Sequence, residues 1–285
     1  MNDEPDTTQS DTARPDTVVL VHGLWMTPRS WEHWVTRFEE RGYRVLTPAY
    51  PGFDVEVEAL RADPTPIADL TVEAIANHLD EFIGSLDTPT KPILMGHSAG
   101  GTFLQLMLDR GHGSAAVALN SAPVEGVLVT PWSQLKSVFP VVKNPANHHR
   151  AVGLSFEEWT YAFTNTYTEQ ESREFYDRYH IPASGRVLID SVLANVQPGH
   201  QDAWVDFSNP NRVPLLFLSG SEDHIMPPSV QASNAKHYKG EGTITEHDTY
   251  EGRPHLMVAG PGWEEIADRA LEWALAHATS NVTSA

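Results

Sequence analysis

Ser98 lies in Gly96-His97-Ser98-Ala99-Gly100, which matches G-x-S-x-G. An apolar run, Pro92-Ile93-Leu94-Met95, leads directly into it, and an apolar stretch carrying Phe103, Leu104, Leu106, Met107 and Leu108 follows. Strand, tight turn, then helix is the context that exposes a serine hydroxyl for nucleophilic attack. The flanking glycines fit it, because side chains there would collide with the neighbouring strand and helix. The plainer reading is a serine capping a helix N-terminus; the strand-to-helix context favours the nucleophile. A serine hydroxyl is a poor nucleophile until a base takes its proton, and histidine is the usual base. The chain offers 14 His and no Cys. Thiolate nucleophiles, disulfides and Cys-ligated zinc or iron–sulfur centres are thereby excluded.

The elements that must position Ser98 alternate along the chain. Thr17–Val21 is apolar and β-branched, which reads as a strand buried on both faces. Trp31, Trp34, Val35 and Phe38 then share one helical stripe, stopped by Gly42. Further strands are expected at 43–47, 92–95, 117–119 and 213–218, with a last one around 242–246. Helices are expected through Val72, Ile75, Ala76, Leu79 and Phe82, after Ser98, and from Trp263 to Ala274. This spacing predicts an α/β fold: a mostly parallel, doubly wound central sheet with right-handed crossovers.

One stretch interrupts the alternation. Residues 123–208 hold no convincing buried strand and are too long for a plain loop. Helix starts are legible at Ser155-Phe156-Glu157-Glu158, over Glu169–Tyr179 and over Gly185–Asn195. We read 123–208 as a helical cap inserted into a core made of 17–122 and 209–278. Residues 1–16 form an acidic tail read as disordered, and 279–285 a frayed end. The aromatic residues of the cap suggest an apolar substrate pocket between cap and sheet.

The chain resembles the α/β-hydrolase fold superfamily, in its branch of small capped esterases, lactonases and haloperoxidase-like enzymes. Four stretches carry the resemblance: Val19-Leu20-Val21-His22-Gly23, Gly96–Gly100, Gly220-Ser221-Glu222-Asp223-His224-Ile225-Met226-Pro227 and Gly252-Arg253-Pro254-His255-Leu256. The family's order of serine, acid, histidine is reproduced. The resemblance implies Ser98 as nucleophile, His255 as its base and Asp223 as the carboxylate that holds the histidine tautomer. Asp223 also falls just past the C-terminal end of a strand, where ligands gather in open α/β sheets. Glu222 is the alternative acid.

A tetrahedral intermediate would need two preorganised N–H donors. The resemblance assigns one to the Ala99 amide and the other to Leu24, with Trp25 as its alternative. Among competing histidines, His97 should be aimed elsewhere by the turn, although it adjoins the serine, and His22 should order its own loop. His148 and His149 read as a solvated pair. Trp25, His97, Trp132 and Trp159 are the expected substrate contacts. The expected activity is hydrolysis of a carboxylic ester or lactone of an apolar small molecule. A C–C hydrolase or lyase, a cofactor-free perhydrolase and a non-catalytic ligand receptor stay open, since fold does not choose among them.

Charge and composition bound the partners. Lys plus Arg number 19 against 38 Asp plus Glu, a formal charge of −19. Such a field repels nucleic acid and disfavours an anionic membrane. No metal or cofactor is expected, since zinc-binding His pairs, EF-hand spacing, Rossmann glycines and P-loops are lacking. The N-terminus shows no apolar signal core, so a cytoplasmic enzyme is expected. A homodimer stays open beside a monomer.

Overall fold

A computed structural model describes residues 14–279 of the chain. Most of the expected acidic tail and the end of the chain, 1–13 and 280–285, lie outside the described residues. The described margins are tied down: Asp16 C=O accepts from Arg44 N–H at 2.8 Å, and Thr279 N–H donates to Ser114 C=O at 2.9 Å.

Strand β1 (Thr17–Val21) is buried along its whole length, as a run of apolar β-branched residues requires. Helix α1 (Glu32–Glu39) turns Trp34 and Phe38 inward, and Gly42 at φ +86° carries the chain out of it. Strand β2 (Arg44–Leu46) and helices α2 (Val57–Ala62) and α3 (Val72–Gly84) follow, the last capped by the Thr71 side chain. Strand β3 (Ile93–His97) leads through Ser98 into helix α4 (Ala99–Asp109), and β4 (Ala115–Leu119) comes next.

The segment after β4 is mainly helical. It contains α5 (Trp132–Val142), β5 (Ala151–Val152), α6 (Phe156–Phe163), α7 (Glu169–Tyr179), β6 (Ala183–Ser184) and α8 (Gly185–Leu193). Helices α6 and α7 both begin with capping boxes, Ser155 with Glu158 and Thr168 with Glu171. The chain then returns through β7 (Leu215–Gly220), α9 (Pro228–His237), β8 (Thr245–Tyr250) and α10 (Trp263–His277).

The central sheet runs β2-β1-β3-β4-β7-β8, every pair parallel, with helices flanking it. The last strand differs from expectation: it occupies 245–250, not 242–246. Its sequence, Thr-Glu-His-Asp-Thr-Tyr, sits at the sheet edge and is half exposed, so it lacks the apolar run of an inner strand. Strands β5 and β6 pair antiparallel apart from the main sheet.

Strand order reverses at β1. The chain moves outward to β2, then crosses back to lay β3 on the other side. The loops after β1 and β3 therefore diverge at their C-terminal ends and open a crevice there. Among the described residues no helix is long and apolar enough to cross a membrane.

Candidate active site

Ser98 adopts φ 56° and ψ −123°, a conformation non-glycine residues avoid. Such backbone costs roughly 1–3 kcal/mol and persists only where the surroundings over-determine it. Here they do. Ser98 N–H donates to Leu119 C=O at 3.0 Å, and Ser98 C=O accepts from Ala122 and Gly101 N–H, each at 2.9 Å. The flanking glycines are sterically required. A Cβ on Gly96 would lie well inside contact distance of the Gly100 carbonyl, and one on Gly100 would meet the Val21 carbonyl.

His255 reaches the site on the loop between β8 and α10. Its Nδ1–H donates to Asp223 Oδ2 at 2.7 Å, and both side chains are fully shielded from solvent. Asp223 follows β7 and is itself anchored, its Oδ1 accepting from Ile225 N–H at 2.8 Å and Met226 N–H at 2.7 Å. Glu222, the alternative acid, is exposed. The second imidazole nitrogen, His255 Nε2, is buried and has no partner among the described residues. A nitrogen in that state can accept a proton. In an unliganded site the bond from a serine hydroxyl is often long and tightens on binding.

The C-terminal end of α6 and the loop after it grip both approaching loops. Phe163 C=O accepts from Leu256 N–H at 2.9 Å, and Tyr167 Oη donates to Leu256 C=O at 3.1 Å. His224 Nδ1 donates to Tyr161 C=O at 2.8 Å, and Asn165 Nδ2 to Glu222 C=O at 2.9 Å. The Phe163 ring meets the His255 ring edge-on, centroids 4.8 Å apart.

The two residues expected to supply the donor amides border the same space. Leu24 and Ala99 line one cavity with Ser98. Gly23 lets the first loop press in, since a Cβ there would stand 3.1 Å from Ser98 Cβ. Among the described residues, neither the Leu24 nor the Ala99 N–H donates to a protein acceptor. The Ala99 amide also sits in the first turn of α4, where the helix dipole favours negative charge.

Two neighbouring histidines are held neutral. Burial lowers His22 to about 4. Its Nδ1–H donates to Gly23 C=O at 2.8 Å, while Tyr50 Oη donates to the His22 carbonyl at 2.5 Å. His22 thus orders its loop, as expected. Burial, and then the nearby His255, pushes His97 well below the usual histidine value. No group of three or more His, Cys, Asp or Glu among the described residues could hold a metal ion.

The cavity beside Ser98 measures about 160 Å³. Val138 and Val142 of α5 and Val187, Leu188 and Val192 of α8 form much of its wall.

The sequence pattern of the alpha/beta hydrolase family matches residues 18–269. The chain belongs to the alpha/beta hydrolase family. Solved structures share this fold. An extracellular alpha/beta-hydrolase from a Paenibacillus species is 22% identical at a TM-score of 0.66, over 90% of this chain and 98% of that one. A monoacylglycerol lipase from Paleococcus ferrophilus is 22% identical at 0.63, over 93% and 97%. A thermophilic esterase from Thermogutta terrifontis is 17% identical at 0.63, over 94% and 92%. No curated protein matches the chain.

Of the four substrate contacts expected in this alpha/beta hydrolase, only Trp25 lines the cavity. His97 does not: it is fully buried, and its Nε2 donates to the His255 carbonyl at 2.9 Å. Trp159 is 0% exposed and stacks on Phe163 with centroids 4.1 Å apart. Trp132 faces outward, 78% exposed. The aromatic residues of α6 and α7 pack largely on one another, so the part of the wall formed by α5 and α8 is aliphatic, and the aromatic lining comes from Trp25 and Phe103. Thr102, Gln134, Val138, Val187 and Met226, none of them among the expected contacts, also line the cavity. For α5 and α8 the sequence shows only valine and leucine at helical spacing within an inserted segment, a pattern that does not tell a cavity wall from core.

Proposed function

We propose that this alpha/beta hydrolase cleaves carboxylic esters, open-chain or cyclic, of apolar aliphatic molecules. Ser98, His255 and Asp223 act as a triad, and residues 123–208 act as a cap over the substrate. The observation that carries the reading is His255 bound to Asp223 at 2.7 Å through Nδ1 with Nε2 left free. That bond fixes the tautomer a general base needs.

Substrate enters with its carbonyl carbon over Ser98 Oγ and its oxygen toward the Leu24 and Ala99 amides. Oγ attacks the carbon while its proton passes to His255 Nε2. The oxyanion accepts from the two N–H groups, each such donor being worth about 10²–10³ in rate. The intermediate collapses, the C–O bond to the alcohol breaks, and the leaving oxygen takes the proton from Nε2. Water then attacks the acyl-Ser98 carbonyl and gives a proton to Nε2. A second collapse returns that proton to Oγ and frees the acid. Asp223 stabilises the imidazolium at both stages.

The valines and leucines of α5 and α8 on the wall favour a flexible alkyl chain over a large planar ring. The test is a panel of p-nitrophenyl alkanoates, lactones and β-diketones with wild type and Ser98→Ala. Ester or lactone turnover that S98A abolishes is expected. Undiminished S98A turnover, or cleavage of diketones alone, would contradict the reading.

A further inference from the structure

Asn120 immediately follows β4 and is fully buried. It adopts φ +43°, one of two non-glycine residues at positive φ among those described; the other is Ser98. Asparagine tolerates the left-handed region better than other side chains, though at a cost. A residue held there in a core invites the question of what its side chain does.

Its hydrogen bonds connect the site's separate parts. Asn120 Oδ1 accepts from Gly220 N–H at 2.8 Å, at the end of β7, where the acid loop begins. Asn120 Nδ2 donates to the carbonyls of Pro254 at 3.1 Å and His255 at 3.0 Å. Its own N–H donates to Leu218 C=O at 2.8 Å. Both amide hydrogens are therefore used on the backbone of the base, and the amide oxygen on the strand that delivers the acid. The residue before it, Leu119, accepts Ser98 N–H through its carbonyl. Three loops that share no local sequence meet at one carboxamide. The two outer loops also press together: a Cβ on Gly220 would overlap the Arg253 carbonyl.

We propose that Asn120 is a positioning residue for the base, clamping the Pro254–His255 backbone against the acid-bearing strand so that His255 Nε2 is aimed at Ser98. This rests on the triad reading above. The carbonyl of His255 accepts from Asn120 Nδ2 and from His97 Nε2, so the imidazole is fixed from its backbone as well as through Asp223. Misplacement of a reacting group by about 1 Å can cost about 10²-fold in rate, which is the scale on which such a clamp acts.

The test compares Asn120→Gly, Asn120→Ser and Asn120→Asp. Glycine takes φ +43° without strain, so N120G deletes the clamp and spares the backbone. N120S, with a shorter side chain, provides a second variant if N120G unfolds. N120D keeps an acceptor for Gly220 but faces two carbonyls with lone pairs. Two readouts are taken: kcat and KM on an alkanoate ester, and the downfield proton NMR resonance of His255 Nδ1–H. The clamp predicts a fall in kcat of about tenfold or more in N120G with KM unchanged. It also predicts a resonance broadened by solvent exchange, and N120D worse than N120G. Wild-type kcat and resonance in N120G would overturn it. So would N120D outperforming N120G, which would mean that only the tie to β7 matters. If wild type cleaves no ester, the triad reading fails, and the resonance still decides the clamp.

Discussion

Asp223 divides its two carboxylate oxygens: Oδ2 accepts the Nδ1–H of His255 at 2.7 Å, while Oδ1 is taken by the Ile225 and Met226 amides. The carboxylate is thus held by its own loop, and the imidazole bonded to it inherits that orientation.

Replacing that acid should stop turnover without unfolding the chain. In Asp223→Asn the amide NH₂ can face Nδ1, which moves the ring proton to Nε2 and leaves no lone pair for Ser98. A comparable loss in serine proteases is about 10⁴ in kcat. We expect D223N to fall by about 10³–10⁴ at pH 8 with its circular dichroism unchanged. A kcat within tenfold of wild type would refute the role.

Acid should weaken the fold before any carboxylate pair is protonated. His22 is neutral when folded, with its value lowered to about 4 by burial, against an ordinary value of 6.5. The unfolded chain therefore binds the extra proton first. The contribution of neutral His22 is whole above about pH 6.5 and is lost as pH falls toward 4. Its size is roughly 3 kcal/mol by the time both forms are protonated. Burial likewise lowers His180, to about 3; its Nε2 accepts Leu154 N–H at 3.0 Å and would lose that bond on protonation. Urea unfolding at pH 7.5, 6, 5 and 4 should show falling stability across this window. A flat profile down to pH 4.5 would contradict it.

The aliphatic wall makes a claim about chain length. Val138→Phe on α5 would fill part of the 160 Å³ cavity. We expect kcat/KM for octanoate esters to drop by about tenfold or more relative to acetate, a methylene-scale discrimination. Equal losses on acetate and octanoate would place the substrate elsewhere.

The catalytic candidates were legible because tight turns leave marks. Gly96 and Gly100 mark a serine pressed between strand and helix, and the loops bearing Asp223 and His255 carry family patterns at strand ends. The wall was not legible in the same way. Trp159 and Phe163 advertise burial, but periodicity does not say against what, and they stack on each other. The residues that face the cavity are ordinary valines and leucines, indistinguishable in sequence from core. Asn120 left no mark, since its partners at 220, 254 and 255 are far along the chain. Strand β8 was displaced because an edge strand of Thr, Glu, His and Asp shows no apolar run.

The proposed mechanism requires a covalent bond to one oxygen, Ser98 Oγ. Wild type mixed with p-nitrophenyl butyrate should be quenched within the first turnovers and digested for mass spectrometry. We predict a butyryl adduct on the peptide carrying Ser98, absent in S98A and formed far more slowly in Ser98-containing His255→Ala. Product released at full rate with no adduct on Ser98, or with the adduct on another residue, would contradict the mechanism.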